Sequence, residues 1–205
     1  MRKKAKKNEH YYSKSPKSKP RLGLIRVHLR GYFFEFLTAS SVFSRKSVDQ
    51  GTRLLIESMI LPEKGCVLDL GCGYGPVGIA AAVFNPKLHV VMVDVNQRAV
   101  WLAKENAKRN NVDNVEVHQG FLYESVENTK FNVILCNPPI SAGMETVTSI
   151  LANAPDHLHK NGLFQLVIKS KIGGKRFLNQ LEKTFGNAQV LSKKSGYRVL
   201  ISEKS

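Results

Sequence analysis

The chain has 205 residues, 42% of them hydrophobic, and a formal net charge of +15. That is enough for one sizeable core, and one domain with an extension is the default organisation. No apolar run approaches the roughly 18–20 residues needed to cross a bilayer, and the basic N-terminus has no apolar stretch behind it, so neither a membrane span nor a secretory signal is expected. Cys66, Cys72 and Cys136 lack metal-ligand spacing and are odd in number; they read as reduced thiols of a cytoplasmic protein with no metal site.

The charge is unevenly spread. Residues 1–30 carry eleven Lys/Arg against Glu9 alone, residues 31–159 carry ten against thirteen acids, and residues 160–205 carry ten against two. Basic ends around a mildly acidic middle suit a protein whose middle does chemistry and whose ends attract a polyanion. The plainer reading is a surface of solvated lysines.

In chain order, residues 1–20 form a basic arm rich in Lys, Ser and Pro, disordered over Met1–Lys7, with Tyr11 and Tyr12 available to pack or to stack on bases. Residues 21–205 are expected to form a single domain. Within it, 21–38 read as a hairpin extension turning at Arg30-Gly31, outside the main sheet. Ala39–Gln50 is a loop, followed by a helix from Asp49 that Pro62 stops. Strands are expected at Cys66–Leu70, Leu88–Val93, Val115–His118, Phe131–Cys136 and Leu163–Ile168. Helices are expected at Pro76–Phe84, Asn96–Asn110 (capped by Asn96), Glu145–Leu158 and Lys175–Phe185. Gln189–Leu191 and Tyr197–Ser202 close the chain as a strand pair. Strands alternating with helices imply an α/β fold, a doubly wound, mostly parallel seven-stranded sheet with an antiparallel C-terminal pair. Ligands of such sheets sit beyond the carboxyl ends of the strands, where Asp69–Gly75, Asp94 and Asn137–Ile140 all fall.

Gly71, Gly73 and Gly75 follow a strand and precede a helix, so the backbone can turn sharply and let a ligand approach. Pro76 stands where the dinucleotide fingerprint needs another glycine, and no Gly-Lys-Ser/Thr follows, which excludes the nicotinamide pattern and the phosphate loop of nucleotide hydrolases. Asp94, 23 residues after Gly71, can accept both ribose hydroxyls of an adenosine group; the alternative is a cap for the next helix. Asp69 holds either the turn or a charged amine of the cofactor.

Asn137-Pro138-Pro139-Ile140 follows a buried strand. Two prolines stiffen the loop and leave its carbonyls free to accept. An Asn oxygen and the Pro138 carbonyl can take both hydrogens of one planar NH₂ group, leaving the nitrogen lone pair aimed at an electrophilic methyl group. Positioning and electrostatics then suffice for catalysis. Ile140 can pack on the face of the base.

Asp-Leu-Gly-Cys-Gly-Tyr-Gly at 69–75 resembles the cofactor motif of class I S-adenosylmethionine-dependent methyltransferases, and Asn137–Ile140 resembles their amino-methyltransferase motif. More narrowly, residues from about His10 to Ile201 resemble the small-domain family that includes the ribosomal small-subunit RNA guanine-N2 methyltransferases. His10–Ser13, Val42–Ser44, Val48–Thr52, Asn137–Ile140 and Gly196–Val199 fall in that family's order. The resemblance implies a Rossmann-like domain using S-adenosylmethionine, bound by Asp69, Gly71, Cys72, Gly73, Asp94, Val95, Gly120, Phe121 and Asn137, with the loop up to Asp49 closing over the methionine end. It places the target amine on Asn137 and Pro138, flanked by Pro139 and Ile140. Gly120-Phe121-Leu122 departs from the family's Ser-Asp-Leu, so adenine recognition would rest on backbone atoms. Ser141 and Met144 stand where relatives carry basic residues, and Ser40-Ser41 replaces Ser-Gly.

The expected activity is methyl transfer to guanine N2 in RNA, with ribosomal RNA or a ribosomal subunit as partner, no membrane association, and the oligomeric state open. Rival readings are the same chemistry on adenine N6 or a glutamine amide, and a non-catalytic RNA-binding or ribosome-assembly protein.

Overall fold

The computed structural model describes residues 14–16, 19–138 and 143–205. The expectations for Met1–Lys7, His10–Ser13, Pro139, Ile140 and Ser141 lie outside the described residues.

The chain opens with an antiparallel hairpin, β1 (Leu22–Leu29) and β2 (Tyr32–Ala39), which is a two-stranded sheet of its own. Arg30 (φ 48°) and Gly31 (φ 86°) make the turn, and two left-handed residues are what a tight two-residue hairpin demands. There follow α1 (Gln50–Ser58), β3 (Gly65–Leu70), α2 (Pro76–Phe84), β4 (Leu88–Asp94), α3 (Gln97–Arg109), β5 (Val115–Gln119) and β6 (Phe131–Cys136). The chain ends with α4 (Met144–Asn153), β7 (Leu158–Lys169), α5 (Ser170–Phe185), β8 (Gln189–Lys194) and β9 (Tyr197–Glu203).

The main sheet has seven strands in the order β5-β4-β3-β6-β7-β9-β8. The first five are parallel; β9 runs antiparallel between β7 and β8. The chain winds outward from β3 to β5 and then returns to start β6 on β3's other side. That reversal leaves a crevice at the carboxyl ends of β3, β4 and β6. One core packs α1, α2, α3 and the hairpin on one face of the sheet; a second packs α4 and α5 on the other.

Several boundaries differ from expectation: β7 begins at Leu158 and not Leu163, and β8 runs on to Lys194 and does not end at Leu191. The helix expected through Leu158 ends at Asn153, a 3-10 turn covers Ala154–His157, and Leu158 already belongs to β7. Pro155 explains it, since it lacks the N–H that would continue the α-helical ladder. The last helix begins at Ser170, not Lys175, and breaks at Gly173, whose φ of 174° is extended.

Two asparagines dock the hairpin. Asn106 Oδ1 accepts from Leu37 N–H (2.6 Å) and its Nδ2 donates to Leu37 O (2.9 Å); Asn110 makes the same pair with Glu35 N–H (3.1 Å) and O (2.8 Å). Residues four apart on a helix rise about 6 Å, close to the 6.8 Å between alternate strand residues, so α3 completes the hydrogen bonding of β2 much as a neighbouring strand would. Asn106 Nδ2 also donates to Tyr74 O (2.9 Å), and the Phe36 ring lies 5.7 Å from that of Tyr74. The hairpin therefore braces the glycine loop from behind.

Candidate active site

The glycine loop is tied to β4. Gly71 and Cys72 N–H both donate to Val93 O (2.9 and 3.0 Å). Gly71 (φ 75°) and Gly73 (φ 59°) are left-handed, and a Cβ at either would meet no atom within 4 Å. Glycine is needed at these positions for the turn, and the space in front of the loop is open to a ligand.

Asp94 pins this cradle. Its Oδ2 accepts from Gly73 N–H and its Oδ1 from Asn96 N–H, both at 2.8 Å. It is not the cap of α3, because Asn96 fills that role by accepting from Arg98 N–H (2.9 Å). Asp69, almost fully buried, accepts from Gly78 N–H (2.8 Å) and so holds the first turn of α2. Burial pushes the Asp94 carboxyl up to about 6, against the two N–H groups that favour its charge. Burial pushes Asp69 to about 7, with the neighbouring Asp94 adding to the rise. Cys72 and Cys136 are buried free thiols, raised by the same loss of water, and so are not nucleophiles at neutral pH.

Loop 40–49 closes one side. Asn96 Nδ2 donates to Ser41 O (2.9 Å) and Arg98 Nη1 to Ser40 O (2.8 Å), which fastens the loop to the start of α3. Asp49 caps α1, accepting from Gly51 N–H (2.9 Å) and Thr52 N–H (3.0 Å). Its Oδ2 also takes the Thr52 hydroxyl and Asn137 Nδ2 (3.1 Å), so four donors converge on one carboxylate. Asn137 Nδ2 donates as well to Thr52 Oγ1 (2.8 Å). A carboxylate can only accept, so the amide nitrogen of Asn137 must face α1. With its nitrogen turned to α1, Asn137 has its acceptor oxygen on the other side of the amide.

One cavity of about 270 Å³ gathers these parts. Of the residues expected from the sequence, Asp69, Gly71, Cys72, Gly73, Asp94, Val95, Gly120, Phe121, Asn137 and Pro138 all line it. Asp49 does not: it stands behind Thr52 as a cap and a holder of Asn137. Phe121 contributes a ring that is 47% exposed, and its N–H is taken by Glu124 Oε2 (3.3 Å). The lining also includes Phe43, Thr52, Tyr74 and Thr146, to which the sequence had assigned no role. For Thr52 the signal was present in the Asp-x-x-Thr spacing of a helix cap. Among the described lining residues the charged ones are Asp69 and Asp94, a setting that favours a cationic ligand. Among the described residues no cluster could hold a metal ion, and no helix is long and apolar enough to cross a membrane.

The family model of the methyltransferase small domain matches residues 34–201. The chain belongs to the methyltransferase small-domain family. It thereby joins the class I S-adenosylmethionine-dependent methyltransferases, as its motifs implied. It is 41% identical over 199 residues to the uncharacterized protein YbxB of Bacillus subtilis, across 96% of this chain and 99% of that one. Ribosomal RNA small subunit methyltransferase C of Aliivibrio fischeri (strain MJ11) is 32% identical over 87% of this chain and 52% of its own length. Among solved structures, the Thermus thermophilus 16S rRNA N2 G1207 methyltransferase (RsmC), in complex with AdoMet and guanosine, superposes with a TM-score of 0.82 at 27% identity, over 93% of this chain and 52% of that one. The chain thus spans about half the length of the methyltransferase C relatives.

Proposed function

We propose that this small-domain methyltransferase moves a methyl group from S-adenosylmethionine to the N2 amine of a guanine in small-subunit ribosomal RNA, in the cytoplasm. The orientation of Asn137 carries the reading, since Asp49 and Thr52 hold its amide nitrogen and so turn its oxygen away from α1. Relatives that act on ribosomal RNA, one of them solved with guanosine, support the substrate, as does the net charge of +15.

The residues present fit the cofactor. The open cradle over Gly71 and Gly73 accommodates it, the Asp94 carboxylate can accept ribose hydroxyls, and a cavity whose charged residues, among the described ones, are Asp69 and Asp94 suits its cationic end. When bound, S-adenosylmethionine supplies an electrophilic methyl on a sulfonium that leaves as a neutral thioether. Asn137 Oδ1 and the Pro138 carbonyl accept the two hydrogens of the target amine and turn its lone pair toward the methyl. The lone pair so presented would take the methyl that the cofactor supplies, and the surplus proton would then pass from the amine to water. Asn137 and Pro138 work by position, and no side chain has to act as a strong base. The guanine must be unpaired or flipped out to reach them.

The same two acceptors would hold adenine N6 or a glutamine amide, so the product decides between them. Transfer of tritiated methyl to small-subunit RNA and to partly assembled subunits, followed by nucleoside mass analysis, should give N2-methylguanosine. N6-methyladenosine or methylglutamine would redirect the reading, and no incorporation into any nucleic acid would overturn it.

A further inference from the structure

Beyond the cavity the sheet continues from β6 through β7 and β9 to β8. Because β7 runs parallel to β6 while β9 and β8 alternate, the end of β7, the start of β9 and the end of β8 all lie at the cavity's end of the sheet. Cations collect there. Lys169 pairs with Tyr197, which pairs in turn with Lys194, and Arg198 pairs with Lys193. Lys171 and Lys175 follow in the first turns of α5. The two acids of residues 160–205, Glu182 and Glu203, lie near the end of α5 and at the last residue of β9, at the opposite end.

These cations are not neutralised within the fold. Lys169, Lys171, Lys175 and Lys193 are exposed, and among the described residues no carboxylate lies within ion-pair distance of any of them, whereas Lys194 meets Glu57 only at 3.9 Å. Two of the side chains are held in place: Lys169 Nζ sits 5.8 Å over the Tyr197 ring, and Arg198 Nε donates to Ser170 Oγ (3.2 Å). Unpaired like charges repel one another and are relieved by a polyanion. The ledge also adjoins the clamp. Cys136 pairs with Leu166, so Asn137 continues the register opposite Val167, and Lys169 stands one strand over and two residues further along. Strand geometry puts the two Cα atoms about 8 Å apart, on the face of the sheet that α1 covers.

We propose that Lys169, Lys171, Lys175 and Lys193, with Arg198, form a ledge that grips the RNA phosphates flanking the nucleotide held at Asn137. The inference rests on the RNA reading above and adds where the strand lies: it runs from the clamp toward β8, and the edge at β5 stays uncovered.

The test compares two triple variants with the same change in charge. Lys171→Glu/Lys175→Glu/Lys193→Glu removes the ledge; Lys64→Glu/Lys87→Glu/Lys160→Glu alters exposed lysines at the opposite end of the sheet. Binding of fluorescein-labelled, transcribed small-subunit ribosomal RNA is measured by anisotropy across a salt series, with thermal melts to verify folding. The ledge variant should bind at least about tenfold more weakly near 100 mM salt, and its slope of log affinity against log salt should be shallower by roughly 2, as for three lost contacts to single-stranded phosphates. The control should stay within about twofold of wild type. The neutral triple Lys171→Gln/Lys175→Gln/Lys193→Gln should weaken binding in the same direction, which keeps the test decisive if reversal harms folding. Equal losses in the ledge and control variants, or no loss in the ledge variant, would overturn the ledge and leave the methyltransferase reading standing. If wild type binds no RNA, the substrate reading fails first and the ledge with it.

Discussion

The two halves of the cavity are built differently. The cofactor half is made of consecutive strand ends, and its glycine loop, hung on Val93 O and pinned by Asp94, is held within residues 69–96. The clamp half is made by side chains far apart in sequence. Asn137 is oriented by Asp49, 88 residues away, and Thr52, 85 away. Gly51, between those two, packs so close to the Tyr197 ring that a Cβ there would come within 2.8 Å of it. A local, backbone-based site should fail in binding when damaged. A clamp assembled by distant side chains should fail in turnover while binding persists.

Asp94→Ala tests the first half and should weaken cofactor binding more than any change in the clamp. It frees two backbone N–H groups and removes the carboxylate proposed to accept the ribose hydroxyls, so calorimetry should find S-adenosylmethionine bound about 100-fold more weakly. Acidification should act through the same group. With the Asp94 carboxyl near 6, the anion proposed to accept the ribose is lost below that pH, and cofactor affinity should fall by up to about tenfold per pH unit. Asp94→Asn should flatten the profile. The effect on stability has the opposite sign. Asp69 and Asp94 hold their protons more tightly when folded (about 7 and about 6, against 3.8). Their contribution to stability is therefore full below about pH 4 and is lost as pH rises through 6 to 7. Thermal melts of the cofactor-free protein should register that decline while cofactor affinity is rising.

Thr52→Val tests the second half. It keeps the shape but deletes the hydroxyl's hydrogen bonds to Asn137 and to Asp49, each worth about 1 kcal/mol. Single-turnover kinetics should find methyl transfer several-fold slower with cofactor affinity unchanged, and Thr52→Ser should restore the rate. A Thr52→Val protein that lost cofactor binding and kept its rate would reverse the comparison. The smallest effect on the site should come from Gly51→Ala, where the added methyl displaces Tyr197 and costs roughly 1–3 kcal/mol of stability. Melts should register it as about 2–4 °C per kcal/mol, with cofactor affinity preserved.

The same contrast explains what the sequence made legible. Pro76–Phe84 and Phe131–Cys136 fall where expected, the former because a proline opens the helix directly after the glycine loop. Ten of the expected site residues share one cavity, since their motifs sit at adjacent carboxyl ends of parallel strands. What escaped was long-range. Asp49 reads as part of a loop closing on the cofactor, yet its carboxylate is saturated by α1 and Asn137. Asn106 and Asn110, to which the sequence assigns no role, stand in for a strand beside β2. Neither role has a local sequence signal, because each partner is fixed only once the sheet has formed.

The most direct test of the clamp is Asn137→Ala, with methyl transfer to small-subunit RNA measured under single-turnover conditions beside calorimetry of S-adenosylmethionine. Loss of the acceptor that orients the amine should slow transfer by at least about 100-fold while the cofactor affinity stays within a few-fold of wild type. Transfer at a near-normal rate would contradict the assignment of Asn137 as the residue that presents the amine.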